Sequence, residues 1–143
     1  MINTDLNLNI QMPDRQHNYC RFNEIKTMYY LSKKENTLPV IEHKLKSTND
    51  EKEICEALYI TNRLLDNGVS GIDKMYPTFA KFNDTNSPNI QTYLAGIYRK
   101  TKVPDAFGPL WSMLIKNSVT PDKEKPLFDA NEEIGGAILD YLA

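Results

Sequence analysis

The chain has 143 residues, 41% of them hydrophobic and 25% charged, with only six glycines and a net charge of −2. That length matches one domain of roughly 100–200 residues, so residues 1–143 read as a single globular domain large enough for a real core. The slightly negative balance excludes the global positive field that drives most nucleic-acid binding, and no run reaches the ~20 apolar residues needed to cross a bilayer.

The N-terminus lacks the basic start and apolar stretch of a secretory signal, which predicts a cytoplasmic protein. Leu6, Leu8 and Ile10 alternate with Asn7 and Asn9, but no partner strand is evident. Residues 1–18 therefore read as an extended arm packed on the first helices. His17 and Cys20 stand three apart, a spacing compatible with a metal or a supported thiolate. A structural zinc site needs about four ligands, however, and no further Cys or His lies near. Two cysteines, Cys20 and Cys55, are too few for a disulfide framework and read as reduced, part-buried thiols. No metal or cofactor is expected.

From residue 22 onward two helical patterns alternate. Ile25/Met28/Tyr29, Ile54/Ala57/Leu58, Ile90/Tyr93/Leu94 and Ile134/Ala137/Ile138 each place neighbours three and four positions on, one face of a helix. Between them Leu38/Ile41/Leu45, Ile72/Met75/Phe79 and Phe107/Leu110/Leu114 share spacings of three and seven. The order is first, second, first, second, first, second, first. Punctuation agrees: Thr48 or Asn49 as a cap before Asp50-Glu51, Asn67-Gly68 as a left-handed stop, and Ser87-Pro88 as a start. Lys100 and Lys102 suit the far end of that helix, and Pro104-Asp105 opens the next. Asp129 or Asn131 is expected to cap the last helix. Residues 119–130, with Pro121 and Pro126, read as a surface loop. Tyr29, Tyr30 and Leu31 also suit a short strand, which would make the fold α+β. The chain ends after a first helix, leaving an apolar edge of Ile134, Ile138 and Tyr141 for the loop near residue 125 or a second copy to cover.

The segment from Ser87 to Tyr98, followed by Asp105 to Trp111, resembles a HEAT-type repeat: a polar turn, a helix with a small residue near its centre, a turn with Asp, and a second helix. The resemblance spans residues 22–142, about three and a half repeats. It departs from the pattern in lacking the arginine of the second turn and in placing Pro77 within a second helix. It implies an all-α fold, a short right-handed stack of antiparallel helical hairpins. It further implies that the second helices line a concave binding face. Aligned, they put Glu42, Tyr76 and Trp111 in one column and Lys81 and Lys116 in another, with Lys74 nearby. Aromatics beside cations are typical interface anchors; the alternatives are that Tyr76 and Trp111 close the core and that the lysines are solvated.

No nucleotide loop, nucleophile elbow or paired-carboxylate site is present in the sequence. The acids at Asp50, Glu51, Glu53, Asp129, Glu132 and Glu133 suit helix starts. Gly135-Gly136 read as a place of close helix packing. The expected function is a non-catalytic protein-binding module. Within that class the favoured reading is a small immunity or inhibitor protein that neutralises a toxin or enzyme. The alternatives are an adaptor subunit, a nucleic-acid-binding HEAT-like domain, and a lyase acting on a bound cofactor.

Overall fold

Asn23, Asp50 and Ser87 each turn a side-chain oxygen back onto a backbone N–H two or three residues ahead, at 2.9, 3.0 and 3.2 Å. Each satisfies a donor that a helix start leaves unpaired, worth about 1 kcal/mol. In the computed structural model, which describes residues 22–121 and 124–143, these caps open three of seven α-helices. The arm predicted over residues 1–18, with His17 and Cys20, lies outside the described residues.

The helices are α1 (Glu24–Lys33), α2 (Leu38–Ser47), α3 (Glu51–Asp66), α4 (Tyr76–Ala80), α5 (Pro88–Thr101), α6 (Phe107–Ser118) and α7 (Lys125–Leu142). Short 3-10 turns cover Lys34–Thr37, Ile72–Met75 and Pro104–Ala106, and among the described residues there is no strand. Tyr29, Tyr30 and Leu31 are therefore helical. No helix of the described residues is long and apolar enough to cross a membrane.

Several boundaries follow the sequence. Ser87 caps α5 and Pro88 takes its first position, while Gly68, at φ 80°, stands just past α3. Lys102 ends α5 in the left-handed region, at φ 52°. The cap of α3 is Asp50 rather than Thr48 or Asn49. Thr48 instead ends α2, and its hydroxyl donates to the Glu53 carboxylate in the first turn of α3.

Three predictions need correction. Pro77 has no backbone N–H and its ring clashes with the preceding turn, so the helix expected around Ile72, Met75 and Phe79 is divided. A 3-10 turn carries Ile72 and Met75, α4 begins at Tyr76 with Pro77 in its first turn, and all three stripe residues remain buried. The loop expected over residues 119–130 is shorter, because α7 already begins at Lys125. Pro126 sits in its first turn, where a proline costs no hydrogen bond, and Leu127 and Ala130 are buried. Glu124 holds the N-cap position, and Asp129 and Asn131 lie inside the helix. Finally, α1 turns its other face inward. Ile25, Met28 and Tyr29 are exposed, whereas Glu24 and Thr27 are buried. Phe22 stacks 4.9 Å from Tyr59 at the foot of α1, and Glu24 accepts a hydrogen bond from the Tyr59 hydroxyl at 2.8 Å.

The other predicted first helices form the core, with Leu58, Leu94, Ile97 and Ile134 fully buried. Their mutual directions are given by the side chains that link them. Glu51 and Asp66 at the two ends of α3 bond Ser87 and Lys100 at the corresponding ends of α5, at 2.8 and 2.9 Å. Gln91 near the start of α5 reaches Asn131 through Asn117, and Arg99 near its end meets Asp140 near the end of α7. Helices α3, α5 and α7 therefore run the same way. Phe107 at the start of α6 packs on Tyr141 at the end of α7, 5.5 Å between ring centres, while Asn117 near the end of α6 bonds Asn131 in the first half of α7. Those two run in opposite directions. Ile134 and Ile138, expected at an open edge, are interior, and Tyr141 is part-buried with its hydroxyl on the Val103 carbonyl.

Candidate functional site

Most of the side chains nominated on the second helices bind the chain to itself. Lys81 donates to the carbonyls of Leu45 and Lys46 at 2.8 and 3.2 Å, the end of α2. Lys116 donates to the carbonyls of Asp84 and Thr85 at 3.2 and 2.9 Å, just beyond α4. The ammonium at the end of α2 pairs carbonyls that a helix end leaves open and meets the negative pole of its dipole. Both lysines thus repeat one role in successive layers.

Tyr76 and Glu42 are similarly engaged. The Tyr76 hydroxyl donates to the Asp105 carbonyl at 3.1 Å and accepts from Asn83 at 3.3 Å. Asn83 also accepts from Tyr98 at 2.6 Å, and the two tyrosine rings lie 5.6 Å apart. Glu42 accepts from Thr78 at 2.9 Å and pairs with Lys46 at 3.6 Å. Only Trp111 and Lys74 of the six predicted residues present an exposed side chain without such a tie among the described contacts. Trp111 stands edge-on to Phe107 at 6.3 Å and is 41% exposed.

Two buried polar groups escaped the sequence reading because nothing in local spacing marks them. In the first, Tyr59 donates to Glu24 while Arg63 donates to the Tyr59 oxygen at 2.9 Å and pairs with Glu24 at 3.5 Å. Burial, and then the hydrogen bond to Glu24, pushes the Tyr59 phenol up to about 12. In the second, the Asn117 amide donates to Gln91 at 2.7 Å and to Asn131 at 2.8 Å, and Gln91 donates to the Thr85 carbonyl at 3.1 Å. Each group joins helices distant in sequence with its donors matched to acceptors, the arrangement by which buried polar atoms hold a fold. Among the described residues no three His, Cys, Asp or Glu side chains are placed to hold a metal, and His43 is exposed on α2.

What the predicted columns leave open is a different surface. Trp111 and Ile115 on α6, and Val119 one turn further on, expose 41%, 62% and 79% of their area. On α7 Phe128, Leu139 and Leu142 are exposed by nearly two thirds each. At about 100° per residue the α7 trio occupies an arc of some 60°. That arc adjoins Asn131, which faces α6. Trp111 adjoins Phe107, which faces α7. Both stripes therefore flank the α6–α7 seam, where Phe128 and Ser118 also line one shallow cleft floored by Asn117. Six exposed apolar side chains along two neighbouring helices make this the candidate docking surface.

Comparison with protein-family models, curated proteins and solved structures gives no match to this chain. The candidate site therefore rests on its own geometry.

Proposed function

We propose that this chain is a non-catalytic protein-binding module that docks protein on the α6–α7 face. The observation carrying this reading is the set of exposed apolar side chains Trp111, Ile115, Val119, Phe128, Leu139 and Leu142 along α6 and α7, with the amides and hydroxyls of the neighbouring cleft beside Phe128. An aromatic anchor within an apolar patch and a polar rim is the ordinary composition of an interface. The layered links support a HEAT-like stack of antiparallel hairpins: Lys81 ties α4 to α2, Lys116 ties α6 to the turn after α4, and α3, α5 and α7 run parallel beneath. A stack of that kind buries its core between layers and offers its outer faces to a partner.

Within this class the chain acts as an immunity or inhibitor protein, its partner a toxin or enzyme whose activity it suppresses. The nucleic-acid alternative loses support from the lysine column, because Lys81 and Lys116 spend their donors on backbone carbonyls rather than on an open groove. Affinity capture from the native host, with wild type and Leu139→Asp as bait, tests the reading. A stoichiometric partner held by wild type, lost by the variant at unchanged helicity and inhibited by added chain is the expected result. A partner held equally by both contradicts the assignment of the face, and a partner whose activity is unaffected contradicts the inhibitor role.

A further inference from the structure

We infer that, when no other partner is bound, the α6–α7 face is covered by a second copy of this chain, related to the first by a twofold axis beside Gly135. The inference rests on the reading of that face as a docking surface and names its occupant.

The first argument is the symmetry of the stripe. Phe128 lies seven residues before Gly135 and Leu142 seven residues after it, both exposed on the same arc of α7. A twofold interface requires that a patch complement itself, so that what one copy offers at one end it receives at the other. Crossing two α7 helices in opposite directions at Gly135 lays each Phe128 on the Leu142 of the other copy. The second argument is the crossing point. A Cβ built on Gly135 would meet no atom within 4 Å, so the glycine relieves no crowding inside the chain. It does leave a gap in the apolar stripe, through which a second helix backbone can approach closely. Gly136, by contrast, faces inward against the Arg99 guanidinium.

The third argument is area. An aromatic side chain holds about 150–250 Å², so Trp111 and Phe128, exposed at 41% and 64%, leave about 200 Å² in water, and Ile115, Val119, Leu139 and Leu142, exposed at 62–79%, add to it. A stable pair buries roughly 800 Å² on each partner, toward which the apolar side chains and the polar rim both count. Charge does not oppose the arrangement. Glu132 and Glu124 are the exposed acids at the stripe's edge, and antiparallel crossing at Gly135 sets the two copies of Glu132 about 9 Å apart along the helices, on opposite sides of the axis, and those of Glu124 farther still.

Sedimentation of the full chain at micromolar concentration tests this. The expected mass is twice the 16.5 kDa of one chain, falling to one chain in Leu139→Asp and in Phe128→Asp with circular dichroism unchanged. Should those variants fold poorly, Glu132→Cys, beside the proposed axis and exposed, keeps the test open. A short bismaleimide is expected to link two copies at least 10-fold faster than in a Ser32→Cys control on α1, with wild type subtracted. A wild-type mass of one chain, or equal cross-linking at both positions, overturns the inference. If wild type is a single chain yet captures a partner that Leu139→Asp loses, the second copy is wrong and the docking surface stands. If it is a single chain and capture is indifferent to Leu139, both fail.

Discussion

Arg99 on α5 and Asp140 on α7 meet at 2.5 Å, Nε donating to Oδ2, and the same guanidinium lies 3.5 Å from Glu133. This clamp joins two of the buried helices at the rim of the core. Both partners are more than a third exposed, so solvent screening limits its worth. A double-mutant cycle of Arg99→Ala and Asp140→Ala is expected to give a coupling of about 0.5–1 kcal/mol in urea unfolding, declining with added salt. A coupling that does not decline in salt would mean that the contact is one of packing rather than charge.

Two glycines in helices should respond oppositely to alanine. Within one chain Gly135 has open space where a Cβ would stand, so at dilutions that leave single chains Gly135→Ala gains helix propensity, about 0.5–1 kcal/mol, while at higher concentration its methyl fills the gap at the proposed crossing and weakens pairing. At Gly96 the same Cβ would come within 2.7 Å of the Asn62 carboxamide oxygen. Asn62 has little freedom to move, since its amide donates to the Leu58 and Tyr93 carbonyls and its oxygen accepts from Lys100. Gly96→Ala is expected to lose about 1–2 kcal/mol. Urea midpoints of the two variants check the signs directly.

Asn117 supplies both donors of the buried amide group. Asn117→Leu leaves the Gln91 and Asn131 oxygens without them, at an expected loss of about 2–3 kcal/mol. Chemical denaturation measures the loss, and hydrogen exchange should place it at the α5, α6 and α7 junction. A loss below 0.5 kcal/mol would show that water replaces the amide without cost.

Three phenols make the fold sensitive to alkali. Burial pushes Tyr59 and Tyr141 each up to about 12 and raises Tyr98 further. A phenol whose pKa is raised in the fold binds its proton more tightly there than in the unfolded chain, where it titrates near 10. Its contribution is whole below pH 10 and is lost as the pH climbs through the folded values. Urea midpoints are therefore expected to be level from pH 7 to 9.5 and to fall between 10 and 12, less steeply in Tyr98→Phe. Tyrosinate absorbance developing entirely near pH 10 with native dichroism would contradict the burial of these hydroxyls.

The sequence was most legible where chemistry is local. Ser87-Pro88 and Asn67-Gly68 act within one turn of themselves, and both stand where they were expected. The stripes of α3, α5 and α7 were also legible, because burial on one side imposes a 3.6-residue period whatever the neighbour is. The same rule misassigned α1. Ile25, Met28 and Tyr29 share a face, but the neighbouring face offers Tyr30 and Leu31 to the core, and Glu24 is accepted there only because Tyr59 and Arg63, some 35 to 39 positions later, partner it. Spacing within ten residues carries no trace of such a partner. Pro121 and Pro126 suggest a loop over residues 119–130, although a proline in the first turn of a helix, as Pro126 is in α7, is a start and not a stop. Matching positions on successive helices say nothing of direction, and Lys81 and Lys116 turn toward the chain. Trp111 alone of the α6–α7 face was nominated, for Ile115, Phe128 and Leu139 have the same residue types as a core.

Trp111 is the single tryptophan of the chain and stands in the proposed interface, so its fluorescence reports directly on whether protein covers that face. Acrylamide quenching should be followed from nanomolar to high micromolar chain, and with any captured partner added. The account predicts emission moving to shorter wavelength and a quenching constant falling at least twofold as the face is covered, with neither change in Leu139→Asp. Quenching that stays the same at every concentration and with every partner, in wild type as in the variant, would contradict it.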